Sequence, residues 1–157
     1  MRTTRHAHAK HSEHAEHSFT AVPQSVAEAR TFTTRTLAAW RLDDDRADDI
    51  RLCVSELASN AVEHGTHGRG PRGVFHLRID ADDLHVHVEV EDDDPMATPR
   101  VRPESEKATG GRGMAIVASL ATAWGFENRA FGGGKAVWSE FLTAPAGPRP
   151  ADHGRRR

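Results

Sequence analysis

Between Asp45 and Glu91 the spacing of apolar residues changes period once, and that change restricts the chain to folds in which helices pack on a sheet. Ala47, Ile50, Val54, Leu57, Ala58, Ala61 and Val62 recur at three- and four-residue intervals, which puts them on one face of a helix. After His64 and Gly65 come Gly68, Gly70, Pro71 and Gly73, residues that stop helices and make exposed connections. Val74 to Asp80 then reads as a strand. Leu84, Val86, Val88 and Val90 alternate with His85, His87, Glu89 and Glu91 as a second strand, with Asp82-Asp83 at the hairpin turn.

The remaining segments fit the same plan. Asp43-Asp44-Asp45 opens the long helix, where carboxylates meet the positive end of the helix dipole. Ahead of it, Val26, Ala29, Phe32, Leu37 and Trp40 mark a first amphipathic helix that begins after Pro23, ends near Trp40 and has Ser25 as its expected cap. Met114 to Ala121 is a short apolar helix. Trp124-Gly125-Phe126-Glu127 and Lys135 to Leu142 read as two more strands, joined through Gly132-Gly133-Gly134. The expected class is α+β: a two-layer α/β sandwich with helices on one face of a mixed, mostly antiparallel sheet.

A chain of 157 residues suits one domain, expected over residues 18–143. Residues 1–17 hold His6, His8, His11, His14 and His17, and apart from Met1 nothing apolar larger than alanine. A segment that buries so little surface is expected to be a disordered tail. Its histidines read as solvated, with a transition-metal site on a helical face as the alternative. His85 and His87 read as solvated residues on the polar face of their strand. Residues 144–157, with three prolines and Arg155-Arg156-Arg157, are expected to be a second disordered tail. Residues 93–112 have almost no apolar periodicity, and a loop of that length calls for a function; it reads as a lid.

Charge and cysteine content exclude several classes. With 21 basic and 23 acidic residues the formal net charge is −2, so no global field draws the chain to nucleic acid or an anionic membrane. Cys53 stands alone, which excludes an internal disulfide and a Cys-rich zinc site and favours a reducing compartment. No stretch approaches the roughly 18 apolar residues of a membrane helix, and the amino terminus is charged where a signal peptide is apolar. A soluble, cytoplasmic protein is expected.

Three segments carry candidate chemistry. On the long helix, Glu56, Asn60, Glu63 and His64 line one edge beside the apolar face of Leu57, Ala58 and Ala61. Asn60 has poor helix propensity for such a position. At the end of the second hairpin strand, Glu91-Asp92-Asp93-Asp94 runs into Pro95. A carboxylate there can accept from an exocyclic amine such as adenine's, and another can hold Mg²⁺ through water. The third is the Gly-rich turn Thr109-Gly110-Gly111-Arg112-Gly113, which enters a helix at Met114, so that backbone amides and the dipole suit a phosphate chain. Each has a plain alternative: a solvated helix edge, a solvated acidic turn and a helix cap. The P-loop lysine is missing, as is the strand, glycine and helix order of a dinucleotide fold.

In this order the three segments resemble the N, G1 and G2 boxes of the histidine-kinase-like ATPase (GHKL) superfamily. The Glu56-Leu57-x-x-Asn60-Ala61-x-x-His64 form, and the ending from Trp124-Gly125 to Gly133-Gly134-Lys135-Ala136-Val137-Trp138, resemble its anti-sigma-factor serine/threonine kinase branch over about residues 18–143. The resemblance implies ATP and Mg²⁺ as cofactors, with Asn60 on the Mg²⁺ and Glu56 as general base toward a protein hydroxyl. It implies that Asp92 reads the adenine amine, that His64 contacts the nucleotide, and that Gly111, Arg112, Gly113 and Met114 lie along the phosphates under a lid from about 96 to 110. One departure stands out: Asp92-Asp93-Asp94-Pro95-Met96 replaces the family's Asp-x-Gly-x-Gly, which stiffens the backbone and adds charge beside the base.

The implied activity is phosphorylation of an anti-sigma-factor antagonist by a regulator that also holds a sigma factor, with a homodimer as the family precedent. Intact Glu56 and Asn60 favour this reading. The altered G1 box favours a second, in which a binding module of the same fold sequesters a protein partner without turnover. A third makes the chain a structural or metal-binding protein that acts through its His-rich tail.

Overall fold

The computed structural model describes residues 12–42, 45–64, 73–92, 113–128 and 134–143, with His64 described by its backbone alone. Residues 1–11 of the segment expected as a tail at 1–17, the second expected tail at 144–157, Asp43-Asp44, residues 65–72, the loop 93–112 and Gly132-Gly133 lie outside the described residues. In chain order the elements are β1 (Glu13–Thr20), α1 (Gln24–Ala39), α2 (Asp45–His64), β2 (Val74–Ala81), β3 (His85–Asp92), α3 (Gly113–Leu120), β4 (Ala123–Asn128) and β5 (Lys135–Leu142). The strands form one sheet in the order β1-β2-β3-β5-β4, and each pairing among them is antiparallel.

Side-chain alternation gives the sheet two chemically different faces. Phe75, Leu77 and Ile79 on β2, Val86, Val88 and Val90 on β3, and Val137 and Phe141 on β5 are buried toward the helices. Each large side chain so buried contributes about 2 kcal/mol. α2 supplies the opposite wall, with Ala47, Ile50, Cys53, Val54, Leu57, Ala58 and Ala61 all buried. α1 packs beside α2 through Ala29, Thr33 and Leu37, one turn apart and each 0% exposed. The buried Thr33 hydroxyl donates to the Ala29 carbonyl at 2.8 Å, so burial leaves no polar group unmatched.

Local chemistry sets the ends of the elements. α1 closes with the Leu42 N–H on the Leu37 carbonyl at 2.9 Å and the Arg41 N–H on the Ala38 carbonyl at 3.0 Å, the paired bonds of a Schellman motif. Arg41 carries the left-handed residue of that motif, with φ of 60°. At the other end Ser25 is not a cap. It lies inside the helix and is buried at 3% exposure, because the helix already starts at Gln24 and no side chain caps it. In the β2–β3 hairpin the Asp82 carboxylate accepts from the N–H groups of Leu84 and His85, both at 2.8 Å, an Asx-type turn.

Residues 13–17, expected within an unstructured tail, are instead the first part of β1. Composition pointed the wrong way because β1 is ordered by a backbone ladder along the whole of β2 rather than by apolar burial. Phe19 anchors the strand, 5% exposed and stacked on Phe75 with ring centroids 5.2 Å apart. His14 Nδ1 meets the Asp80 carboxylate at 2.6 Å, and Ser18 pairs with His76 at 2.6 Å.

The face away from the helices is polar and cross-linked. Arg78 reaches Asp80 at 3.0 Å and Glu89 at 3.3 Å. His87 lies between Glu140 at 3.3 Å and Glu89 at 3.8 Å and stacks on Trp138.

Candidate functional site

Glu56 and Asn60 lie one turn apart on α2, and both are half-buried. They share an edge because four residues make slightly more than one helical turn. α3 packs against α2 and meets that edge at its first residue. A Cβ placed on Gly113 would stand 3.0 Å from Glu56 Oε2 and 3.5 Å from Asn60 Oδ1. Gly113 therefore lets the start of α3 approach the two polar side chains more closely than any other residue would. Helix N-termini carry unsatisfied N–H groups and the positive end of the dipole. An acceptor oxygen, a carboxylate and a set of backbone donors thus converge here.

Glu56 has an altered acidity. Burial, with a smaller contribution from the charge of Glu63, holds its carboxyl above the ordinary glutamate value. A carboxylate so placed is a stronger base than one in water. Cys53, one turn earlier, is buried among the core residues. Burial foremost, then the charges of Asp49 and Glu56, pushes its thiol up to about 12, so at neutral pH it is inert filling rather than a nucleophile.

Asp92 ends β3 and is 4% exposed. Its alternation with Val86, Val88 and Val90 turns it toward the helix layer. Lys135, the first residue of β5, stands directly opposite in the register, with Nζ 3.4 Å from Asp92 Oδ2. The spacing of apolar residues did not single out Lys135, because only the order of strands in the sheet makes it the neighbour of Asp92. The chain enters β2 at the end that pairs with Asp92, through Phe75, soon after it leaves α2 at His64. It enters α3 at Gly113, after leaving β3 at Asp92.

The structure brings together Glu56, Asn60 and Gly113 and gives Asp92 an ionic partner. Met114 is 5% exposed and belongs to the core. Gly111, Arg112 and the side chain of His64 lie outside the described residues, as does the segment 96–110 read as a lid. Among the described residues no three His, Cys, Asp or Glu side chains are grouped to hold a metal ion. No helix there is long and apolar enough to cross a membrane.

The fold resembles that of the RsbU and RsbW domains of Rv1364c from Mycobacterium tuberculosis, with a TM-score of 0.57 and 21% sequence identity. The match covers 85% of this chain and 34% of the other, so the chain spans about a third of that protein's length. No curated protein matches the chain. Residues 19–139 match the profile of the histidine kinase-like ATPase domain, which takes in every described element but the first part of β1 and the last three residues of β5, and the chain belongs to that family.

Proposed function

We propose that this chain binds Mg·ATP between α2, the first turn of α3 and the Asp92 end of β3, and transfers the γ-phosphoryl group to a serine or threonine hydroxyl of a protein partner. The observation that carries the reading is the contact of Gly113 with Glu56 and Asn60. It sets phosphate-binding N–H groups beside a general base and a hard oxygen ligand. The residues present fit the cofactor: Asn60 Oδ1 would hold Mg²⁺, the remaining ligands being phosphate oxygens and water, and Asp92 would accept from the adenine amine. When bound, Mg·ATP supplies the phosphoryl group and offsets its charge. Glu56 takes the proton of the incoming hydroxyl, and its raised pKa suits that task.

The partner class follows from the motif resemblance of Glu56-Leu57-x-x-Asn60-Ala61-x-x-His64 to anti-sigma-factor kinases, and from likeness in fold to a protein that joins RsbU and RsbW domains. On this reading the chain is a cytoplasmic regulator of transcription whose substrate is an anti-sigma-factor antagonist, which also holds a sigma factor and forms a homodimer. Calorimetric titration of Mg·ATP into the full chain and into Asn60→Ala tests the core of it. Binding that Asn60→Ala abolishes is the expected result. No heat of binding with the unaltered chain at millimolar ATP overturns it.

A second reading rests on a different observation. Asp92 is tied to Lys135, and Asp94 and Met96 stand where the family has glycine. These features favour a module that sequesters its partner without phosphorylating it. Under that reading Glu56→Ala leaves partner binding unchanged and there is no turnover to lose.

A further inference from the structure

Lys135 is the one lysine or arginine among the described residues that is buried, at 3% exposure. Its ammonium has three N–H donors. Its one partner among the described residues is Asp92, through a single carboxylate oxygen at 3.4 Å. An ammonium withdrawn from water with donors unfilled is costly, and a single carboxylate compensates only part of that cost. Both groups face the helix layer at the strand ends where the nucleotide base is placed above.

We propose that Lys135 and Asp92 read the base as a unit: Asp92 accepts from the exocyclic amine of adenine, and Lys135 donates to the adjacent ring nitrogen N1. This rests on the reading that the base lies at the Asp92 end of β3. Adenine presents a donor beside an acceptor on that edge, and the pair presents an acceptor beside a donor. Guanine in the same position sets its carbonyl oxygen against the carboxylate and its ring N–H against the ammonium. Both contacts repel, so the pair selects adenine over guanine. The buried ion pair is then part of the recognition surface, and the ligand fills a donor that the protein leaves open.

The test is calorimetric titration of the full chain with Mg·ATP, Mg·GTP and Mg·1-deaza-ATP, in which N1 is replaced by C–H. Hydrogen bonds to charged groups predict that 1-deaza-ATP binds about tenfold or more weakly than ATP, and GTP more weakly still. In Lys135→Met, ATP and 1-deaza-ATP are expected to bind alike. Asp92→Asn/Lys135→Met, which leaves no buried charge unpaired, gives the same comparison if the single variant misfolds. Equal binding of ATP and 1-deaza-ATP to the unaltered chain overturns the inference and leaves the ATP reading intact. So does tighter ATP binding by Lys135→Met, which would make the lysine a competitor for Asp92. Failure of all three nucleotides to bind overturns the ATP reading itself, and this inference with it.

Discussion

Gly125 on β4 lies against the indole of Trp138 on β5, its directly opposed neighbour: a Cβ on Gly125 would stand 2.7 Å from Trp138 Cζ2. The contact explains why a glycine stands between Trp124 and Phe126 in this strand. Trp138 in turn stacks on His87, with ring centroids 5.8 Å apart. Gly125→Ala therefore moves the indole and disturbs the stack. It is expected to cost about 1–3 kcal/mol, the range for overpacking, read by urea denaturation. Trp138→Leu removes the obstructing ring, so in that background the cost of Gly125→Ala should fall sharply. A double-mutant cycle with no coupling would show that the indole is not the obstacle.

The sequence revealed those parts of the fold whose order comes from burial. α2, β2, β3 and β5 show their periods because each buries one face completely. β1 does not, since its order comes from hydrogen bonds to β2, and Glu13–His17 bury almost nothing. Glu89 was legible as a polar-face residue but not as an 8% exposed one; Arg78 covers it from β2 and His87 from two residues earlier on β3 itself. At the site, helical spacing suffices to align Glu56 with Asn60. The approach of Gly113 and the pairing of Asp92 with Lys135 depend on how α3 crosses α2 and on β5 lying next to β3, and no local pattern encodes either.

Arg41 holds a left-handed conformation, φ 60°, at the end of α1. For a residue with a Cβ this costs about 1–2 kcal/mol, and glycine adopts it freely. Part of that gain is offset by the greater freedom of glycine in the unfolded chain. Arg41→Gly is therefore expected to stabilise the protein by about 0.5–1 kcal/mol, measured as a higher midpoint in urea with an unchanged slope. A loss of stability would mean that the exposed Arg41 side chain contributes more than its backbone costs.

His87 predicts a pH dependence. Its bond to Glu89 foremost, together with Glu140 and against the effect of burial, raises its pKa above the ordinary histidine value. A histidine raised on folding contributes stability that is fully present below its unfolded pKa of about 6.5 and is lost as pH rises through the folded value. The Tm difference between the unaltered chain and His87→Gln is thus expected to be largest near pH 6 and to shrink toward about pH 8. The exposed His14 shifts in the same direction through Asp80, so the comparison is made in the His14→Gln background. A difference that does not vary with pH would mean that His87 acts through its stack on Trp138 alone.

Glu56 should show opposite effects on stability and on activity. Its carboxyl is raised by burial first and by the charge of Glu63 second, so the ionised form present at neutral pH is less favourable in the folded chain than in the unfolded one. The stability it contributes is present below the unfolded pKa and lost as pH rises through the folded value. Glu56→Gln removes that ionisation. It is expected to raise Tm at pH 7, with the difference closing below about pH 4. The same substitution removes the proposed base, so phosphoryl transfer should fall by about 10²–10⁴-fold while Mg·ATP binding changes little. Thermal melts from acid to neutral pH, paired with ADP release in the presence of the partner, separate the two effects. A polar group kept at the expense of stability is a mark of function. If Glu56→Gln melts below the unaltered chain at neutral pH, the carboxylate is a structural partner in the α2–α3 contact, and its assignment as base loses its physical ground.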